Sequence, residues 1–185
     1  MTKSVTYLKV NYLDASAAVR FVLNEPGSAA LINYFLDDDS GSFYITSLCL
    51  AEALGVLKGK WQRKKISIEE YTFKCESLLT YLHRKPKSIH LDDIQLTDLD
   101  VFADTEKIAK RHNLDLSDAL QLVSVANRFG KFTGPSAPLL ITADGLLASA
   151  AQNEGVRVWN CLMQASPPPL TKPTLAVLRA DQAPP

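Results

Sequence analysis

Thr6-Tyr7-Leu8-Lys9-Val10-Asn11-Tyr12-Leu13-Asp14-Ala15-Ser16-Ala17-Ala18-Val19-Arg20-Phe21-Val22-Leu23 reads as a strand that hands over to a helix at an acid. Thr6 to Leu13 carries Val, Tyr and Leu in partial alternation, and Ser16 to Leu23 is Ala-rich until Glu25-Pro26-Gly27 breaks it. The same handover recurs. Phe43 to Ile45 predicts a second strand, and Thr46 or Ser47 then caps a helix from about Leu48 to Gln62. Leu139 to Ile141 predicts a core strand, Asp144-Gly145 turns the chain, Leu146 to Glu154 is helical, and Val156 to Trp159 is a last strand.

Between these lie further helices. Ser28 to Leu36 has apolar residues at helical spacing and runs into the acidic turn Asp37-Asp38-Asp39. Ser67-Ile68-Glu69-Glu70 is a capping box, after which Ile68, Tyr71, Cys75, Leu78, Leu79 and Leu82 repeat helically until Pro86. Ser88 to Leu91 is a short strand, and Thr97 opens an amphipathic segment ending near His112-Asn113, where Asn suits a left-handed cap. Asp115 or Ser117 caps the helix that carries Asp118 on to Gly130. Strands separated by helices predict an α/β domain with a central, mostly parallel sheet flanked by helices, whose ligands gather outside the carboxyl ends of the strands.

Composition agrees with one such domain over residues 1–160. The 185 residues are 46% apolar and 22% charged, enough to bury a core without disulfides. Cys49, Cys75 and Cys161 form no C-x-x-C pair and lie in apolar surroundings, as reduced core thiols do. No stretch approaches the ~20 apolar residues of a membrane span, and Met1 to Lys9 lacks a secretory segment, so a cytoplasmic location is expected. Twenty basic and twenty acidic residues cancel, which removes any global charge argument for nucleic acid. Residues 161–185 hold six of the ten prolines and read as an extended tail, with a docking segment around Leu175 to Leu178.

Four acids stand out. Asp14, Glu52, Asp118 and Asp144 lie far apart in the chain, each in an apolar stretch near a strand-to-helix handover. A carboxylate among apolar neighbours is costly to desolvate unless it finds hydrogen bonds, a cation or a metal. Asp14, Asp115, Asp118 and Asp144 also stand near helix starts, where an Asp serves as a cap, whereas Glu52 lies past its cap and would otherwise need a distant Lys or Arg. Held together, such carboxylates would bind a hard divalent cation, Mg2+ or Mn2+; His83, His90 and His112 show no ligand-like spacing that would favour zinc. A cation so bound activates a water and neutralises charge on a phosphodiester.

Tyr12-Leu13-Asp14-Ala15-Ser16-Ala17, Ile45-Thr46-Ser47 leading to Ala51-Glu52, Leu116-Ser117-Asp118-Ala119-Leu120 and Ile141-Thr142-Ala143-Asp144 resemble the PIN domain over roughly residues 7 to 160. The likeness is nearest to its VapC branch, the toxin ribonucleases of type II toxin-antitoxin pairs. The resemblance implies a Mg2+- or Mn2+-dependent endoribonuclease with Asp14, Glu52, Asp118 and Asp144 as catalytic acids. Asp14 and Asp118 would contact the metal, Asp144 next, and Glu52 would act through water or as a base. It also implies an RNA substrate, a homodimer and a cognate antitoxin whose Arg enters the acidic pocket. Thr46 and Thr142 match polar positions beside such sites, and each reads equally as a cap or turn hydroxyl. Gln121 stands where relatives often have His, and Lys131 to Pro138 looks inserted.

Lys58, Lys60, Arg63, Lys64 and Lys65 surround Trp61, either as phosphate contacts with a stacking ring or as charges complementing a helix end. The alternatives to a nuclease are a catalytically idle PIN-like RNA-binding or protein-interaction module and a phosphatase or phosphoacceptor domain. Asp14-Ala15-Ser16 lacks the second acid of a D-x-D phosphatase motif.

Overall fold

The computed structural model describes residues 9–92, 97–129 and 137–169. The beginning of the expected first strand at Thr6, Gly130, most of the inserted segment from Lys131, and Leu175 to Leu178 lie outside the described residues.

Five strands, β1 (Val10–Leu13), β2 (Ser42–Ile45), β3 (Ile89–Leu91), β4 (Leu139–Thr142) and β5 (Arg157–Asn160), form one sheet in the order β3-β2-β1-β4-β5. Every pairing is parallel. The chain is therefore an α/β domain with a central parallel sheet, as its alternating pattern predicts. Its helices are α1 (Ala15–Ala18), α2 (Ser28–Leu36), α3 (Ser47–Gln62), α4 (Ile68–His83), α5 (Leu99–His112), α6 (Leu116–Phe129) and α7 (Gly145–Asn153).

Side-chain alternation sorts the core into two layers. Leu13, Leu139, Ile141 and Trp159 face one cluster with residues of α1 to α4, while Val10, Tyr12, Leu140 and Val158 face the other with residues of α6 and α7. Burial on both faces explains why β1 and β4 are buried throughout and largely apolar instead of alternating with exposed polar residues. Buried Asn11 is the exception in β1, and its amide is fully used: Nδ2 donates to the Ser40 and Ser42 carbonyls at 2.8 and 3.2 Å, and Oδ1 accepts from the Tyr34 hydroxyl.

Most helix ends fall where the caps predict. Thr46 is the cap of α3, its hydroxyl accepting the Cys49 N–H, and Ser67 completes its capping box with Glu70. Asn113 closes α5 in the left-handed conformation. Two boundaries differ from expectation. The helix after Asp14 ends at Ala18 and tightens into a 3-10 turn at Val19–Phe21, where buried Arg20 donates to the Ser16 and Pro26 carbonyls and pins the segment. Helix α5 starts after Asp98, whose carboxylate accepts the Asp100 N–H, rather than at Thr97.

After β5 the chain first packs back onto the domain. Cys161 is buried and its N–H donates to the Thr142 carbonyl at 2.9 Å, and the Trp159 indole donates to the Gln164 carbonyl. Gly27 caps α2 with φ +89°, and a Cβ there would sit 2.3 Å from the Cys161 carbonyl oxygen. Gly27→Ala should therefore cost about 2–3 kcal/mol from the left-handed backbone and the clash together. Thermal unfolding checks this; an unchanged midpoint would mean that the Cys161 segment is not seated against this turn.

Candidate metal and catalytic site

The strand order reverses direction at β1. The chain moves outward through β2 and β3 on one side, then returns to add β4 and β5 on the other, so the adjacent strands β1 and β4 stay paired to their ends while the helices that follow them, α1 and α7, leave toward opposite faces of the sheet. Such a switch point opens a crevice where ligands bind in parallel sheets. Asp14 follows β1 directly, Thr142 ends β4, and the two side chains meet across the gap.

Asp14 is buried and caps α1. Its Oδ2 accepts from the Ser16 backbone N–H at 3.1 Å, the Ser16 hydroxyl at 2.5 Å and the Thr142 hydroxyl at 2.9 Å. The Ser16 hydroxyl in turn accepts the Ala143 N–H, and the Thr142 hydroxyl accepts the Asp144 N–H. A small hydroxyl network thus fixes the Asp14 carboxylate through Oδ2. Burial pushes the Asp14 carboxyl above its usual range in spite of these bonds.

Asp118 lies in the first turn of α6 and is partly buried. Its carboxyl is pushed up to about 7, first by burial and then by the charges of Asp14, Asp144, Glu52 and Asp115. Glu52, on the second turn of α3, is raised by partial burial and by Asp14, Asp115 and Asp144. Asp144 caps α7, Oδ1 accepting the Leu146 and Leu147 N–H groups at 2.7 and 2.9 Å. Helices α1, α3, α6 and α7 thus bring all four acids into one electrostatic neighbourhood. Among the described residues none of the four is ion-paired to a Lys, Arg or His.

A divalent cation suits this donor set in kind, since the ligands are carboxylates that repel one another and lack a basic partner. In spacing, no three His, Cys, Asp or Glu side chains among the described residues already converge as a metal-holding group. The histidines stay elsewhere: His112, for one, pairs with Glu154 at 2.6 Å.

The chain is similar in fold to a solved structure. That structure is PAE2754 from Pyrobaculum aerophilum, with a TM-score of 0.51, 19% identity, and alignment over 93% of this chain and 96% of that one. At this identity the likeness speaks to the fold alone. No family model matches the chain, and no curated protein does either.

Three contributors have weak sequence signals. Ser16 is visible only as a residue in the Asp14 run, yet it bridges Asp14 to Ala143. Asp115 occupies the cap position of α6, its carbonyl accepting the Ala119 N–H, and its charge also raises Glu52 and Asp118. Gln121 is buried beneath the crevice, donating to the Leu13 carbonyl at 3.3 Å and accepting from the Thr46 hydroxyl and Cys49 thiol. Cys49 is no nucleophile here, because burial and the nearby acids push its thiol to about 12.

The basic cluster lies at the far end of α3, with Gln62 ten residues beyond Glu52, ~15 Å along the helix. Lys60 is paired with Glu25 at 2.7 Å, and one face of Trp61 is stacked on Tyr71. Lys58, Lys64 and Lys65 remain exposed.

Proposed function

We propose that this chain is a PIN-type endoribonuclease dependent on Mg2+ or Mn2+, the toxin of a type II toxin-antitoxin pair. The observation that carries the reading is the environment of Asp118, raised by every other member of the acidic quartet with no basic partner among the described residues. Structural ion-pair networks include cations; this cluster invites one from outside.

In this reading Asp14 and Asp118 hold the cation, with Asp144 beside them. The cation supplies a water of lowered pKa and neutralises charge on the phosphodiester. Ser16 and Thr142 keep the Asp14 carboxylate from turning away. Glu52, exposed and shifted upward, is suited to accept a proton from water at the crevice mouth. RNA is the substrate, a second copy completes a homodimer, and an antitoxin Arg would pair bidentately with the same carboxylates.

A catalytically idle PIN-like module is the second reading, favoured by the lack of a converged trio of ligands among the described residues. Incubating the protein with a structured RNA pool, with Mg2+, Mn2+ or EDTA, and mapping new RNA ends separates the two. Ends that appear with metal and vanish with EDTA are expected. Intact RNA across varied pools, with folded and metal-loaded protein, would favour the idle module.

A further inference from the structure

The opposite end of the sheet carries a cavity that the acidic crevice does not use. It has a volume of about 200 Å³ and is lined by Lys9, Val10, Asn11, Tyr34, Leu139 and Arg157, with Pro167, Pro168 and Pro169 along one side. Lys9, Val10, Leu139 and Arg157 all stand at the amino ends of β1, β4 and β5, so the whole depth of the sheet separates this cavity from Asp14.

Arg157 is the feature that needs explaining. Its guanidinium is partly buried, and it meets no carboxylate among the described residues. Its hydrogen bonds go to two carbonyls, Ala137 at 3.0 Å and Pro168 at 3.4 Å. Among the described residues these contacts use two of its five donors, and no other acceptor there is bonded to it. The acidic influence nearest this region, Asp37, is felt by the Tyr34 phenol; Arg157 itself is acted on by burial and by that phenol. Lys9 adds a second cation, its Nζ bonded among the described residues to the Asp39 carbonyl at 2.6 Å. The Tyr34 proton is committed to Asn11, so the phenol serves as wall, not donor.

We propose that this cavity binds a small organic oxyanion, a carboxylate or phosphate monoester with a compact apolar body. Arg157 takes the oxyanion in a forked pair of hydrogen bonds, Lys9 adds charge at the rim, and Val10, Leu139 and the prolines enclose the apolar part. Its volume corresponds to roughly seven waters, room for a group the size of a benzoate or phenyl phosphate. The site is independent of the ribonuclease reading.

The test is calorimetric titration of the full chain with benzoate, phenyl phosphate and inorganic phosphate. Wild type should bind at least one of the first two at one site per chain, and more tightly than inorganic phosphate. Arg157→Gln should weaken that binding at least tenfold, Lys9→Gln less, and Arg157→Lys should recover part of it if the fold is intact by circular dichroism. Asp14→Asn should leave it unchanged. Absence of saturable binding of either aromatic anion by wild type, or equal binding by folded Arg157→Gln, would overturn the proposal.

Discussion

Asp118→Asn should make the metal-free protein more stable while abolishing most of its activity. The carboxyl is held near 7 by burial and by four neighbouring acids, so at pH 7.5 the folded protein carries an ionised group that its surroundings resist. Neutralising it removes that repulsion without deleting a hydrogen bond assigned to its side chain. The side chain is only partly buried, so solvent screening reduces the gain to about 1 kcal/mol, a rise of ~2–4 °C in a chain of this size. Cation affinity and RNA cleavage should fall together, cleavage on the order of 10²-fold or more, about 2.7 kcal/mol of transition-state stabilisation. Gain of stability with loss of function separates a ligand from a cap, because removing a cap destabilises by ~1 kcal/mol. A variant that loses both would place Asp118 in the architecture of α6.

Asp144→Ala offers the contrasting case, since its carboxylate receives two N–H groups of α7. It should lose about 1 kcal/mol of stability as well as activity.

Stability against pH is the second large effect. Asp14, Glu52 and Asp118 all have carboxyls raised in the folded state, so the folded protein holds more protons than the unfolded chain between the ordinary carboxylate range and about 7. A folded state that binds more protons loses stability as pH rises. Their favourable contribution is fully present below the unfolded values near 4 and is lost as pH rises through the folded values, about 7 for Asp118. Glu154 works in the opposite sense, held low by His112 and Arg111, but its effect falls below about pH 4.5. Between pH 5 and 7 the metal-free protein should therefore become progressively less stable, and Asp118→Asn should flatten the slope. Saturating Mg2+ should restore stability most at pH 7 and least at pH 5, since it binds the ionised carboxylates. A metal-free profile that rises with pH in this window would show that the acids are not coupled as described.

How much of this the sequence carries depends on whether the information is local. Helices α2 and α4 are bounded by Gly27 and by the Ser67 capping box, both written within a few residues, and both are legible. The handovers at Asp14, Thr46 and Asp144 are local too, and they place the acids at strand ends. The order β3-β2-β1-β4-β5 is not local; it rests on which apolar faces pair, and with it the meeting of Asp14 and Thr142 across 128 positions. Ser16 and Gln121 look ordinary in one dimension because their partners come from β4, α3 and β1. Thr46 and Thr142, alike in sequence, divide in space into a helix cap and a clamp on Asp14. Arg20 is equally opaque, since nothing in an Ala-rich segment announces an arginine turned inward to shorten its helix.

RNA cleavage depends on supplying the right RNA, whereas cation binding depends on the four carboxylates alone. The measurement that tests the central claim most directly is therefore a count of Mn2+ bound by metal-free wild type and by the Asp14→Asn/Asp118→Asn double variant at pH 7.5, read by electron paramagnetic resonance with Mg2+ as competitor. Wild type should bind Mn2+ saturably, Mg2+ should displace it, and a double variant that remains folded should lose that site. Equal binding by the two proteins, or no saturable binding by wild type at millimolar Mn2+, would contradict that claim.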